Sequence, residues 1–300
     1  MQHSYRGRFA PSPTGPLHFG SMLTAVGSYL EARVQGGEWQ VRIEDIDTPR
    51  TVPGASDEIL RTLDAAGLHW NGEVVYQSTR REAYDAALHE LRTRRHLYEC
   101  ICSRREIADS AIAGIDGYVY SGTCRSGVPE NSTVRAWRVK TQRTRIVFDD
   151  TIHGHIEQDL ERDIGDFVLL RADGLYAYQL AVVVDDAEQG ITHVVRGADL
   201  LDSTPRQIHL QKLLGLPTPQ YAHLPVAVNA QGQKFSKQTR AAAIDDDHIA
   251  PSLFDALRAL GQKPPSSLQS ANVNDIWAWA LQHWRLEAVP RSRTVVSPPS

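Results

Sequence analysis

The alternation of strand-like and helix-like stretches predicts an α/β protein built on an open sheet. Three observations predict it. Residues 8–10 suit a short strand and run through a Pro/Gly loop, PSPTGPLHFG, into a helix-compatible stretch over 21–35 closed by Gly36-Gly37. Residues 38–45 (EWQVRIED) read as a second strand. Residues 191–196 read as a parallel strand with Arg196-Gly197 at its carboxyl end. Strand, rigid loop and helix in succession aim backbone N–H groups at an anion.

Composition sets the class. A chain of 300 residues can bury a large core in two or three lobes. Hydrophobic content of 41% with 23% charge is that of a globular protein. There is no apolar run of membrane-spanning length and no signal-peptide pattern, so a cytoplasmic setting without a membrane partner is expected. Three cysteines are too few for a disulfide framework and fit a reducing compartment. Nothing in the chain marks an obligate protein partner. The formal charge is −4, unevenly spread: residues 80–145 hold 13 Arg and Lys against 8 Asp and Glu, whereas residues 146–250 hold 8 against 16. A basic middle segment fits contact with a phosphate backbone on one face, although an uneven solvated surface would read the same way.

The elements follow in order. In the first loop Pro11 and Pro13 fix φ and remove donors, Gly15 and Gly20 let a ligand approach the backbone, and His18 sets an imidazole beside the helix start. Ser12 and Thr14 add hydroxyls, which tilts an otherwise ordinary turn toward a phosphate site. The second strand ends in the charged run 42–50, where ligands of open α/β sheets bind. Glu44 there can meet a cation; by pattern alone a salt bridge to Arg42 or Arg50 is the commoner role. An amphipathic helix over 54–66, a strand over 74–76 and a helix over 80–94 come next, the last burying Ala83, Ala87, Leu88 and Leu91.

From 97 the character changes. Residues 97–102 alternate as a strand does, placing the sulfurs of Cys100 and Cys102 on one face. A short helix and a Gly-rich loop lead to Tyr120 and Cys124, so all the cysteines fall within 25 residues. Three buried thiols are the plain reading; their spacing in a polar region favours Zn²⁺, which takes four ligands. His96 and Asp116 are ordinary candidates for the fourth, and a tyrosinate an unusual one.

Strand-like runs at 133–140 and 145–149 precede a turn at His153-Gly154, and a hairpin turns at Asp173-Gly174. The apolar run 180–184 reads as buried. Ser203, Thr204 and Pro205 start a helix ended by Gly215. A Gly-flanked loop then carries KFSKQ over 234–238. Residues 251–285 suit two helices with core aromatics, and the end, SRTVVSPPS, reads as frayed.

These motifs together resemble a known family. PSPTGPLHFG looks like the first signature of the class I glutamyl-tRNA synthetases, with His18-Phe19-Gly20-Ser21 in the place of their His-x-Gly-His element and Ser21 replacing the last His. KFSKQ looks like their Lys-Met-Ser-Lys-Ser signature, with Phe235 and Gln238 departing from it. The resemblance covers residues 6 to about 240. It implies a Rossmann-type catalytic domain in two halves, 1–95 and 178–240, with an inserted zinc-containing, RNA-contacting α+β lobe over 96–177. A short helical region, 241–290, and a flexible tail, 291–300, would complete the chain.

The resemblance also implies roles. His18 and Lys237 would be catalytic, and Thr14, His18, Gly20, Lys234 and Lys237 would bind ATP with Mg²⁺ as its counter-ion. Arg8 would hold the side-chain carboxylate of glutamate and Glu44 its ammonium, with Phe9, Ala10, Pro11, Ser12, Tyr178 and Arg196 completing the pocket. A Cys-x-Cys…Tyr-x-x-x-Cys zinc site of small relatives matches Cys100, Cys102, Tyr120 and Cys124, giving one Zn²⁺ per chain. Only about 60 residues follow KFSKQ, where an anticodon-binding lobe would need far more. That truncation looks like the glutamyl-queuosine tRNA(Asp) synthetases, which activate glutamate without tRNA and attach it to queuosine at the wobble position of tRNA(Asp). Two other readings are a short glutamyl- or glutaminyl-tRNA synthetase charging an acceptor end, and a catalytically silent zinc-containing RNA-binding or glutamate-sensing protein.

Overall fold

The computed structural model describes residues 4–110, 113–115, 117–229, 231–233, 243–244 and 246–296. Strands β1 (Arg6–Phe9), β2 (Glu38–Ile43) and β3 (Val75–Tyr76) pair in parallel in the order β1-β2-β3. Helices α1 (Phe19–Val34), α2 (Ala55–Ala65) and α3 (Arg81–Thr93) separate and follow them. On the other side of β1 lies β11 (His193–Gly197), parallel to β12 (Gln220–Leu224). The Thr192 amide donates to the Arg6 carbonyl at 3.0 Å, which seats β11 against β1. Chain order therefore reverses at β1, and the crevice beyond its carboxyl end is where such sheets bind ligands.

Helix α1 is buried nearly all round. Met22, Leu23, Ala25, Val26 and Leu30 are fully inaccessible, because the sheet covers one side and α8 (Ile249–Ala259) with α9 (Val273–His283) covers another. Gly27 is required there: a Cβ would sit 2.5 Å from Leu224 Cδ1. Trp277 and Trp284 of the C-terminal region donate their indole N–H groups to the Ala66 carbonyl and to Glu31 Oε2, each at 2.7 Å. The C-terminal helices thus share one apolar core with α1 and α2.

Between the two halves, β4 (Leu97–Cys100) and α4 (Arg104–Ser110) lead to a small hairpin, β5 (Ala113–Gly114) and β6 (Gly117–Tyr118). Strand β7 (Ala136–Val139) pairs antiparallel with β4 and with β10 (Val168–Arg171). Strand β8 (Arg145–Asp150) and β9 (Gly154–Asp159) form a hairpin followed by the single turn α5 (Leu160–Asp163). Helices α6 (Tyr178–Glu188) and α7 (Thr204–Leu214) complete the second half.

Three sequence expectations change. The strand at 97 ends at Cys100, so Cys102 reaches its partner from a loop rather than by alternation. Residues 154–159 form a strand where only a turn is expected, because β8 offers a full antiparallel edge. The same hairpin joins the sheet of β11 and β12 through the Tyr221–Asp150 pairing. The end of the chain is not all frayed: β14 (Thr294–Val296) pairs in parallel with β13 (Val226–Val228). The open edge of β13 and an Arg293–Asp202 ion pair at 2.7 Å hold it there.

Candidate active site

The loop after β1 is shaped by backbone bonds to its neighbours. The Glu44 amide donates to the Pro11 carbonyl and the Val52 amide to the Pro13 carbonyl, both at 2.9 Å. Gly15 sits at φ +146°, a left-handed backbone that suits glycine. His18 caps α1, its Nδ1 accepting from the Ser21 amide at 3.3 Å. A Cβ on Gly20 would lie 3.2 Å from the His18 ring, so glycine lets the imidazole fold over the helix start. No acidic residue occupies the first turn of α1, which leaves its N-terminal dipole free to attract an anion.

That helix start opens into a cleft of about 730 Å³. Arg8, Phe9, Ala10, Pro11, Ser12 and Thr14 line it, as do His18 and Gly20. Glu44, Tyr178 and Arg196 line it from the facing elements. The structure thus brings together in one cleft every residue singled out for nucleotide or amino acid, except Lys234 and Lys237, which lie outside the described residues.

Behind the cleft lining, and reaching it through Arg8, Glu44 and Gln77, lies a buried charge network, most of which sequence reasoning missed. Arg8 donates from Nε and Nη2 to the two oxygens of Asp186, at 3.1 and 3.2 Å. Arg42, wholly buried, reaches Asp186 at 2.8 Å and Glu44 at 3.4 Å. Asp185 accepts from Gln77 at 2.7 Å and Tyr84 at 2.8 Å, and pairs with Arg80. The commoner role of Glu44 is therefore present, toward Arg42, while Arg50 pairs with Asp47 instead. Burial raises the Glu44 carboxyl, against the pull of Arg42 and Arg8. Burial would raise Asp186 too, but Arg8 and Arg42 hold it below the usual carboxylate range. Such a cluster is worth little in net stability and much in fixing where guanidinium groups point. The one sequence signal is an Asp-Asp pair directly after the apolar run of α6.

Arg196 leaves the carboxyl end of β11 and is 4% exposed. Its Nη1 donates to the Tyr178 hydroxyl at 3.4 Å, its Nη2 to Thr204 Oγ1 at 2.8 Å and its Nε to His223 Nε2 at 3.0 Å. His223 and Thr204 carry no motif, and only the fold finds them.

A second cluster lies in the β4–β7–β10 region. The sulfurs of Cys100, Cys102 and Cys124 lie within 4.8 Å of one another, and His96 is not part of the group. The Tyr120 hydroxyl is 3.4 Å from Cys100 Sγ and 3.5 Å from Cys102 Sγ, and Cys102 and Cys124 are 3.6 Å apart. Tetrahedral ligands on Zn²⁺ with Zn–S of ~2.3 Å sit roughly 3.7 Å from one another, so the donor set fits that ion. Asp116 lies outside the described residues. Arg125, next to Cys124, and Tyr98 both bond Asp166, which anchors the cluster to its sheet.

Much of the basic segment is paired internally: Arg80 with Asp185, Arg94 with Glu90, Arg125 with Asp166, and Arg145 with Glu157. Arg95, Arg104, Arg135 and Arg143 are exposed. No described helix is long and apolar enough to cross a membrane.

Comparison with known proteins matches this geometry. The family model of the class I tRNA synthetases (E and Q), catalytic domain, matches residues 4–269. The Glutamyl-Q tRNA(Asp) synthetase of Dechloromonas aromatica (strain RCB) is 60% identical, over 99% of this chain and 100% of the relative. The protein of the same name from Chromobacterium violaceum is 57% identical, over 95% of each. Among solved structures, a glutamate-tRNA synthetase from Elizabethkingia anophelis superposes with a TM-score of 0.81 at 25% identity, covering 99% of this chain and 68% of that one.

Proposed function

The chain belongs to the class I tRNA synthetases of the glutamate and glutamine type, and from that premise we propose that it activates glutamate with ATP and transfers it to queuosine in tRNA(Asp). One observation carries the reading: an anion-attracting helix start and a pocket floored by oriented guanidinium and carboxylate groups face each other across one cleft.

Activation joins a glutamate carboxylate oxygen to the α-phosphorus of ATP as the bond to pyrophosphate breaks. Positioning and charge stabilisation can supply most of this. The α1 start and His18 receive the triphosphate with its Mg²⁺ from one side, near Thr14 and Gly20. Lys234 and Lys237 of the KFSKQ signature supply positive charge as negative charge builds on pyrophosphate. Arg8 holds the side-chain carboxylate of glutamate, an acid that suits a guanidinium. Glu44 takes the ammonium, and Tyr178 and Arg196 close the pocket.

Zn²⁺ held by Cys100, Cys102, Cys124 and Tyr120 would tie β4 to the Cys124 loop and stiffen the segment that meets RNA. A queuosine hydroxyl then attacks the activated carbonyl, AMP leaves, and an ester forms on the base. Exposed arginines of the middle segment meet the anticodon stem, whose single-stranded loop can present a splayed base.

The test uses radiolabelled glutamate, ATP and purified tRNAs with and without queuosine. Label should appear on queuosine-containing tRNA(Asp), survive periodate oxidation of the terminal ribose, and be absent from queuosine-free tRNA. Efficient, periodate-sensitive charging of unmodified tRNA(Glu) would defeat the reading.

A further inference from the structure

We propose that Asp150 and His223 are a buried positioning pair that fixes the imidazole tautomer and, through it, the direction in which Arg196 presents its guanidinium to a carboxylate of glutamate. This rests on the reading of the cleft given above.

Asp150, at the end of β8, and His223, on β12, are 2% and 0% exposed, and neither lines the cleft. The two oxygens of Asp150 are not equivalent. Oδ1 accepts from the amides of Ile152 at 3.0 Å and His153 at 2.9 Å. Oδ2 lies 2.6 Å from His223 Nδ1. The carboxylate is only an acceptor, so Nδ1 carries the proton and Nε2 is left with a lone pair. That lone pair faces Arg196 Nε at 3.0 Å, which can only donate, with the Thr204 hydroxyl beside it at 3.2 Å.

Thr204 Oγ1 and the Leu200 carbonyl accept from Nη2 at 2.8 and 3.3 Å. The back of the guanidinium is thereby held on three acceptors, and Nη1, bonded to Tyr178, is turned toward the cleft. The charged or titratable groups facing His223 are Asp150 from β8, Arg196 from β11 and His153 from the turn after β8, with Tyr221 stacked at 6.1 Å on its own strand. Burial lowers the imidazole to about 4, helped by Arg196 and opposed by Asp150, so the neutral acceptor persists at neutral pH.

The discriminating variant is Asp150→Asn. The backbone amides claim the amide oxygen, so its NH₂ must face His223 Nδ1. The imidazole then moves its proton to Nε2, and a donor confronts a donor at Arg196. We expect the glutamate KM in ATP–pyrophosphate exchange to rise about tenfold or more, with kcat and the ATP KM within about threefold of wild type. Nitrogen-15 NMR of the His223 ring should show the Nδ1–H tautomer in wild type and Nε2–H in the variant.

His223→Asn keeps a donor for Asp150 and loses the acceptor for Arg196, so it should share the glutamate defect. His223→Gln can restore an acceptor near Nε2 and should recover most of it. A switched tautomer with an unchanged glutamate KM overturns the proposal. So does an equal rise in both KM values that tracks lost thermal stability. If Asp150→Asn does not fold, equal glutamate KM values for His223→Asn and His223→Gln overturn it equally. Wild-type protein that fails to exchange with glutamate strikes the underlying reading instead.

Discussion

Asp186 accepts both hydrogen bonds of a bidentate pair from Arg8, at 3.1 and 3.2 Å, in a site where the two side chains are 8% and 3% exposed. One edge of this arginine is therefore occupied by the protein itself, and its reach into the cleft is set by a residue of α6. Arg8→Ala should weaken activation by at least ~2 kcal/mol in transition-state terms, because glutamate loses its partner and Asp186 is left against Arg42 alone. Asp186→Asn should raise the glutamate KM while sparing ATP. Pyrophosphate exchange with each substrate titrated separately reads both, and a defect confined to ATP contradicts the pocket. Glutamine should be a poor substrate for the native protein; equal exchange rates with the two amino acids would sink the assignment of Arg8.

Metal analysis of purified protein should return about one zinc per chain. The Cys102–Cys124 spacing of 3.6 Å suits a ligand shell, so chelation should free three titratable thiols and loosen the β4–β7–β10 region. Zinc-free protein with the same unfolding midpoint as the native form would refute the site.

Lys237→Ala should depress kcat for activation and leave glutamate binding nearly intact, since its charge acts as pyrophosphate separates. A large loss of glutamate affinity at unchanged turnover would mean that the lysine has another task.

Stability should fall on acidification in a definable window. His223 titrates near 6.5 when unfolded and at about 4 when folded, lowered by burial. Between those values the unfolded chain binds the extra proton, so stability is full above pH ~6.5 and drops by up to ~3 kcal/mol toward pH 4. Below that, Asp150 and Asp186, held low by His223 and by Arg8 with Arg42 against the effect of burial, add further loss. Urea midpoints from pH 7 to pH 4 should slope in the native protein and flatten in His223→Gln. A native curve without slope above pH 4 would show that the imidazole is not held neutral by the fold.

The parts of the site that were legible are those written within a few consecutive residues. The loop 11–20 announces itself because proline and glycine restrict the backbone locally, and the cysteines because few other residues bind metal at that spacing. The charge network was not legible. Arg8 and Asp186 stand 178 positions apart, and His223 and Asp150 stand 73 apart, so nothing in either neighbourhood names the other. Glu44 shows the limit from the other side: its pattern allowed a salt bridge or a ligand contact, and the fold gives it the bridge while leaving it in the cleft wall. Strand β14 was misread for a related reason, since a short valine pair gains order only from the edge that receives it.

That late strand has a consequence during synthesis. β13 leads directly into the segment bearing KFSKQ, yet its partner is made only after residues past Arg293 leave the ribosome. A nascent chain can assemble the α1 start, the charged floor and the cysteine cluster while the stem of the second signature still lacks its neighbour. The stem is therefore finished after the pocket, so a chain stalled before Thr294 would have a built pocket beside an unfinished stem.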